Sequence, residues 1–166
     1  NMKVIKIFKE TISDGIGFRY SIYFSGCNHN CEGCHNKETW KGDIGKFLDE
    51  EYMNEIVDEI NKNSMLDGIT LSGGDPFFNP DELLNFLKEI KARTSKNIWS
   101  YTGYTFENLL IDSTMKECLD YIDVLVDGKF QKINYYPDLY FRGSSNQRII
   151  DVKESLKNNE VVTLEF

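Results

Sequence analysis

The chain has 166 residues, the size of one domain with a proper core, so a catalytic domain joined to a separate substrate domain is not expected. Apolar residues make up 40% and aromatic ones 13%, enough for a packed interior, and the 28% charged residues carry no long like-sign block of the kind that marks disorder. Nineteen Lys and Arg against 27 Asp and Glu leave a net charge of −8, a field that repels polyphosphates and anionic membrane surfaces, so neither nucleic acid nor a membrane is expected as a partner.

Taken in chain order, the opening Asn1-Met2-Lys3-Val4 lacks a signal-peptide core, and no apolar run of about 18 residues follows, so a cytoplasmic protein is expected. Residues 20–24 read as an aromatic-rich strand that leads into Ser25-Gly26-Cys27. Met53, Ile56, Val57 and Ile60 recur at the spacing of an amphipathic helix between Asp49 and Asn63. Gly68 opens a strand over 69–71, which runs into Gly73-Gly74-Asp75-Pro76. Asn79 as N-cap, Pro80 at the first position and Asp81 and Glu82 in the first turn predict a helix to about Arg93, with Leu83, Leu84, Leu87 and Ile90 as its buried stripe. A strand over 97–101 breaks at Thr102-Gly103, and a helical stretch leads to Val124-Leu125-Val126 and Asp127-Gly128-Lys129. The last segment carries Arg142-Gly143-Ser144-Ser145-Asn146-Gln147-Arg148, a short helix over 151–156 and a terminal strand over 161–164. Strand, polar loop and helix thus alternate, the pattern of an α/β fold with ligands at the C-terminal ends of the strands.

Three cysteines, Cys27, Cys31 and Cys34, lie close together and the fourth, Cys118, is distant. That is no disulfide framework, whereas three thiols on one short loop suit a metal or cluster in a reducing compartment. On a four-iron cluster, three ligands leave one iron open to a substrate, while an electron carrier would want a fourth cysteine. A zinc-binding Cys3His interaction module, using His35 or His29, is the rival, although the adjacency of Cys34 and His35 makes joint ligation awkward. His29 otherwise reads as a polar loop residue. Cys118, within Met115-Lys116-Glu117-Cys118-Leu119, reads as a small buried side chain of a helix.

Cys27-x3-Cys31-x2-Cys34 after an early strand resembles the cluster motif of radical S-adenosylmethionine enzymes, and Gly73-Gly74-Asp75-Pro76 is similar to their glycine-rich motif, whose backbone receives the methionyl amino group. Within that superfamily the chain resembles the glycyl-radical activating enzymes that serve anaerobic ribonucleoside-triphosphate reductase. The matching stretches are Cys27 to Asn36 with Thr39-Trp40, Thr70 to Pro76, Tyr101-Thr102-Gly103-Tyr104, Val126 to Lys129 and Arg142 to Arg148. The resemblance implies a partial, open (β/α) barrel in a single domain over 1–166, with Cys27, Cys31 and Cys34 holding a [4Fe-4S] cluster. It implies that Ser72, Gly73, Gly74, Asp75, Tyr101 and Thr102 hold S-adenosylmethionine, joined by Asp127 and Lys129 of an acid-x-lysine motif and by Arg142. Where the broader superfamily has an aromatic residue before the third cysteine, this chain has Gly33, which leaves His35 or Asn36 to define the adenine pocket. The implied partners are the large reductase subunit, as protein substrate, and a one-electron reductant such as flavodoxin or ferredoxin. An activator of another glycyl-radical enzyme is the alternative within the same chemistry.

Overall fold

The computed structural model describes residues 2–34, 37 and 40–166. Its strands are β1 (Lys3–Thr11), β2 (Arg19–Phe24), β3 (Lys46–Phe47), β4 (Gly68–Gly73), β5 (Asn97–Tyr101), β6 (Val124–Asp127) and β7 (Arg148–Asp151). Its α-helices are α1 (Glu50–Lys62), α2 (Pro80–Arg93), α3 (Phe106–Ile111), α4 (Ser113–Leu119) and α5 (Val152–Asn158). All seven strands form one sheet in the order β3-β1-β2-β4-β5-β6-β7. The four apolar runs anticipated from the sequence, β2, β4, β5 and β6, are parallel neighbours, because a helical crossover returns the chain to the same edge each time.

The flanks differ from an all-parallel sheet: β1 pairs antiparallel with β2 and β3, and β7 pairs antiparallel with β6. The sheet therefore ends in two edges and is not closed. β1 escapes sequence reading because it buries only Val4, with Lys6 and Lys9 standing in solvent. The expected terminal strand over 161–164 reduces to a single bridge between Thr163 and Ile150. After α5 the chain turns through Asn159 in the left-handed region, and the Val162 N–H donates to Ser155 Oγ (2.8 Å) instead of to a strand.

Alternation sorts the strand residues onto two faces. Tyr20, Ile22, Phe24, Ile69, Leu71, Ile98, Leu125 and Ile150 belong to the main core together with the helices. α1 contributes Met53, Ile56, Val57 and Ile60, and each fully buried aliphatic side chain is worth about 1.5–3 kcal/mol. Asp49 caps that helix by accepting the Tyr52 N–H at 2.8 Å. Asn79 precedes α2 but makes no side-chain cap bond, because the 3₁₀ turn Pro76–Phe78 delivers it with φ −129° and ψ 81°, away from the usual extended cap. Phe86 joins Leu83, Leu87 and Ile90 in the buried stripe of α2, while Leu84 is only partly buried.

A smaller cluster on the other face contains Trp99, Val126 and Ile149, with Tyr101, Val124, Phe141 and Leu164 packed against it. Arg19 lies buried on β2. Its guanidinium donates to Thr70 Oγ1 (2.7 Å), Asn97 Oδ1 (2.7 Å) and the carbonyls of Ile16 and Ile69 (both 2.9 Å) and lies 5.4 Å from the Trp99 ring. Burial lowers its pKa to about 10, which leaves it charged at neutral pH, and the acceptors around it offset the desolvation. Among the described residues no helix is long and apolar enough to cross a membrane.

Candidate active site

The cysteine loop begins where β2 ends. Cys27 N–H donates to the Trp40 carbonyl (3.0 Å) and Cys34 N–H to the Cys31 carbonyl (3.2 Å), so the loop is wound on itself. Gly33 has φ +74°, a left-handed conformation that disfavours side chains, and this accounts locally for a glycine where the wider superfamily carries an aromatic residue. Cys27, Cys31 and Cys34 form no disulfide, and each is partly buried. Burial pushes the Cys27 thiol up to about 11; the His29 N–H pulls it down, and the charges of Asp75, Cys31 and Cys34 add to the rise. Burial also raises Cys31, against the Phe130 N–H and the Lys129 charge, which lower it. Such N–H groups aimed at sulfur are what a thiolate-held cluster uses to spread its charge. Cys118 stands apart on α4, buried, with its thiol pushed up to about 12 by that burial and its Sγ donating to the Pro80 carbonyl (3.7 Å).

Opposite the cysteines is the loop that follows β4. Gly73 has φ +107°, and a β-carbon there would lie 2.3 Å from the Phe24 carbonyl oxygen, so the close approach of β4 to β2 requires glycine. The N–H groups of Gly74 and Asp75 donate to the carbonyls of Phe24 (2.9 Å) and Gly26 (2.7 Å), clamping the two loops together. Asp75 is extended, as expected for a residue before proline, but its carboxylate points inward. It accepts from Phe77 N–H (2.9 Å), Thr102 Oγ1–H (3.0 Å) and Gly103 N–H (2.9 Å), and lies 2.6 Å from His29 Nε2.

The remaining described residues singled out from the sequence divide among three places. Ser72, Gly73, Gly74, Tyr101 and Thr102 line one cleft of about 250 Å³ together with Cys27, Cys31 and Cys34. Asp127 and Lys129 line a neighbouring pocket that meets the first at Gly103 and Gly128. The Asp127 carboxylate, nearly inaccessible, is forked by Arg148 (Nε–Oδ1 3.1 Å, Nη2–Oδ2 2.6 Å) and accepts the Phe106 N–H at 2.8 Å. Lys129 is exposed at the rim. Arg142 donates to the Gln147 carbonyl (3.0 Å) and borders a different hollow, near the C-terminus. His35 and Asn36 lie outside the described residues.

Sequence reasoning missed His29, Phe130, Gly143 and Gln147, which also line the cleft. Gln147 was within reach, since it sits in the Arg142 to Arg148 stretch: its side chain accepts from Gly143 and Ser144 N–H and donates to the Gly128 carbonyl, closing that wall. His29, read as a polar loop residue, has a side chain only 6% exposed, and its Nε2 is committed to Asp75, not to the cysteines. The donor set therefore suits a cluster held by three thiolates: three sulfurs outside any disulfide and two N–H groups directed at Cys27 and Cys31 share a cleft walled by glycine backbone.

Residues 13–150 match the family model described as a 4Fe-4S single cluster domain. The chain is 38% identical over 152 residues to the anaerobic ribonucleoside-triphosphate reductase-activating protein of Pasteurella multocida, covering 89% of this chain and 96% of the relative. It is 38% identical over 151 residues to the protein of that name from Enterobacteria phage T4, covering 89% and 93%. Against the one from Escherichia coli K12 it is 39% identical over 140 residues, covering 82% and 90%. With a cysteine-lined cleft at the strand ends and a match across most of its length to relatives of one name, the chain belongs to the family of anaerobic ribonucleoside-triphosphate reductase-activating proteins and carries a 4Fe-4S single cluster domain.

Proposed function

We propose that this protein is a radical S-adenosylmethionine enzyme that installs the glycyl radical on anaerobic ribonucleoside-triphosphate reductase. The observation that carries the reading is the facing of Cys27, Cys31 and Cys34 across one cleft by Ser72, Gly73 and Gly74 at the end of the adjacent parallel strand. Cys27, Cys31 and Cys34 would hold a four-iron cluster, which would supply one electron for cleavage of the cosubstrate's sulfonium.

The chain's own residues divide the work of binding. Gly74 lets backbone approach the methionyl end, with Gly73 beside it in the cleft wall holding β4 against β2, while Tyr101 and Thr102 form the wall beyond. Asp75 acts from behind that wall, and Asp127 acts through Arg148 and the start of α3 rather than by contact. Lys129 flanks the cysteines closely enough to lower the Cys31 thiol, which suits it to an anionic group of the cosubstrate. Arg142 borders the hollow near the C-terminus, and its guanidinium fork suits a carboxylate of the partner.

The whole assembly is one domain, a partial barrel of the radical S-adenosylmethionine type whose open side the reductase completes. A protein substrate is supported by the rim. Phe130 and Gly143 line the cleft, and on the segment of chain that joins them Ile133 and Tyr136 stand 93% and 61% exposed, apolar side chains left for a partner to cover. A reducing, cytoplasmic setting with a one-electron donor such as flavodoxin or ferredoxin fits four cysteines that form no disulfide.

The test is to reconstitute and reduce the protein anaerobically, add S-adenosylmethionine and the cognate reductase, and record the electron paramagnetic resonance spectrum. A glycyl doublet on the reductase is expected. Cosubstrate cleavage without that doublet on competent reductase would remove this substrate and leave another glycyl-radical enzyme as the partner.

A further inference from the structure

We propose that His29 is a positioning residue for the cosubstrate, tying the cysteine loop to the opposite wall of the cleft through a single carboxylate oxygen. The proposal rests on the reading of the cleft as the S-adenosylmethionine site.

Four observations converge. His29 sits between Cys27 and Cys31, with Asn28 and Asn30 on either side of it exposed, yet its own side chain is 6% exposed. Its Nε2 lies 2.6 Å from Asp75 Oδ2, and the same oxygen accepts Thr102 Oγ1–H at 3.0 Å and Gly103 N–H at 2.9 Å. The ring meets Tyr104 edge to face at 4.6 Å. It also lies flush against Gly103, where a β-carbon would come within 2.4 Å of the imidazole Cδ2, so even an alanine at 103 would displace it. One oxygen thus joins the loops that follow β2, β4 and β5, and among the described residues the imidazole is its one connection to the cysteine loop.

The physical consequence concerns registry rather than overall stability. Without His29, Asp75 still has Phe77, Thr102 and Gly103 as donors, so the glycine loop keeps its own support. The Asp75 N–H to Gly26 carbonyl bond still joins the two loops where the cysteine loop begins; what is lost is the side-chain tie farther along it, between Cys27 and Cys31, which steadies the cluster-bearing thiols against the backbone that receives the cosubstrate. A displacement of about 1 Å between reacting groups can cost about a hundredfold in rate, and a site is only as exact as the groups that hold its supporting loops. Desolvating an imidazole is costly unless it is hydrogen-bonded, and the bond to buried Asp75 supplies that.

The test compares His29→Ala and His29→Gln in the full chain. Hydrogen exchange at the Gly103 amide is read first, before reconstitution, followed by iron and sulfide content and then S-adenosylmethionine affinity by anaerobic equilibrium dialysis. For His29→Ala we expect full iron loading, exchange at Gly103 faster by about tenfold and affinity weaker by about tenfold, the loss of one charge-assisted hydrogen bond. Glutamine can donate to Asp75 and should recover most of both. Unchanged exchange and affinity in folded, cluster-loaded His29→Ala would overturn the proposal, as would loss of iron in both variants, which would make His29 a ligand. If the wild-type protein failed to bind S-adenosylmethionine, the proposed function would fall, and the exchange result on cluster-free protein would still decide whether the tie exists.

Discussion

Gly73 and Phe24 are so closely apposed that a β-carbon on Gly73 would lie 2.3 Å from the Phe24 carbonyl oxygen, at a backbone φ of +107°. Gly74, one residue on, is outside the left-handed region and lines the cleft. The two glycines of the motif therefore answer to different constraints, the first to the join of two strands and the second to ligand space.

Gly73→Ala is expected to destabilise the fold by about 1–3 kcal/mol, because both its conformation and its contact with Phe24 resist a side chain. Gly74→Val should unfold at nearly the wild-type urea concentration and load iron normally, but lose S-adenosylmethionine binding. Denaturation midpoints and equilibrium dialysis measure the two effects. Normal cosubstrate cleavage by folded, cluster-loaded Gly74→Val would show that this loop is not the binding site.

Replacing Cys27, Cys31 or Cys34 by Ala should abolish the four-iron cluster, since a site of three thiolates has none to spare. Cys118→Ala should keep it and cost about 1 kcal/mol of stability for the buried sulfur. Iron and sulfide per chain decide between them. A cluster that survived Cys31→Ala and disappeared with Cys118→Ala would sink the assignment.

Arg19→Ala should cost about 3 kcal/mol, because it leaves Thr70, Asn97 and two carbonyls of the inner face without their donor. Arg19→Lys should recover less than half of that, since an ammonium cannot span acceptors arranged for a planar fork. Urea unfolding measures both variants, and iron loading of the folded fraction should remain unchanged.

Charge placed on the exposed rim should separate the partner from the cosubstrate. Ile133→Asp combined with Tyr136→Asp is expected to leave S-adenosylmethionine cleavage at the wild-type rate while lowering the yield of glycyl radical on the reductase at least tenfold. An unaltered yield at limiting reductase would exclude this rim from docking.

The strands over 69–71 and 97–101 and the helices beginning near Asp49 and Pro80 are legible in the sequence because period and punctuation are local properties. Asp49 caps a helix by reaching three residues ahead, which a sequence shows directly; Asn79 does not, because its backbone is set by the turn before it. Cys27, Cys31 and Cys34 draw attention by spacing alone, and Ser72, Gly73, Gly74, Tyr101 and Thr102 line the same cleft because ligand-facing loops follow parallel strands that are neighbours.

Only the tertiary structure decided what those residues touch. His29 and Asp75 are 46 positions apart and meet because β2 and β4 are adjacent, which strand order sets and local pattern does not. The same reason hides the pairing of Asp127 with Arg148, which depends on β7 returning antiparallel beside β6, and it places Arg142 beside a separate hollow. Composition and spacing determine which chemistry this chain can hold; the order of strands determines which side chains face it and which stand behind, because a contact between distant residues exists only once the sheet has brought their loops to one edge.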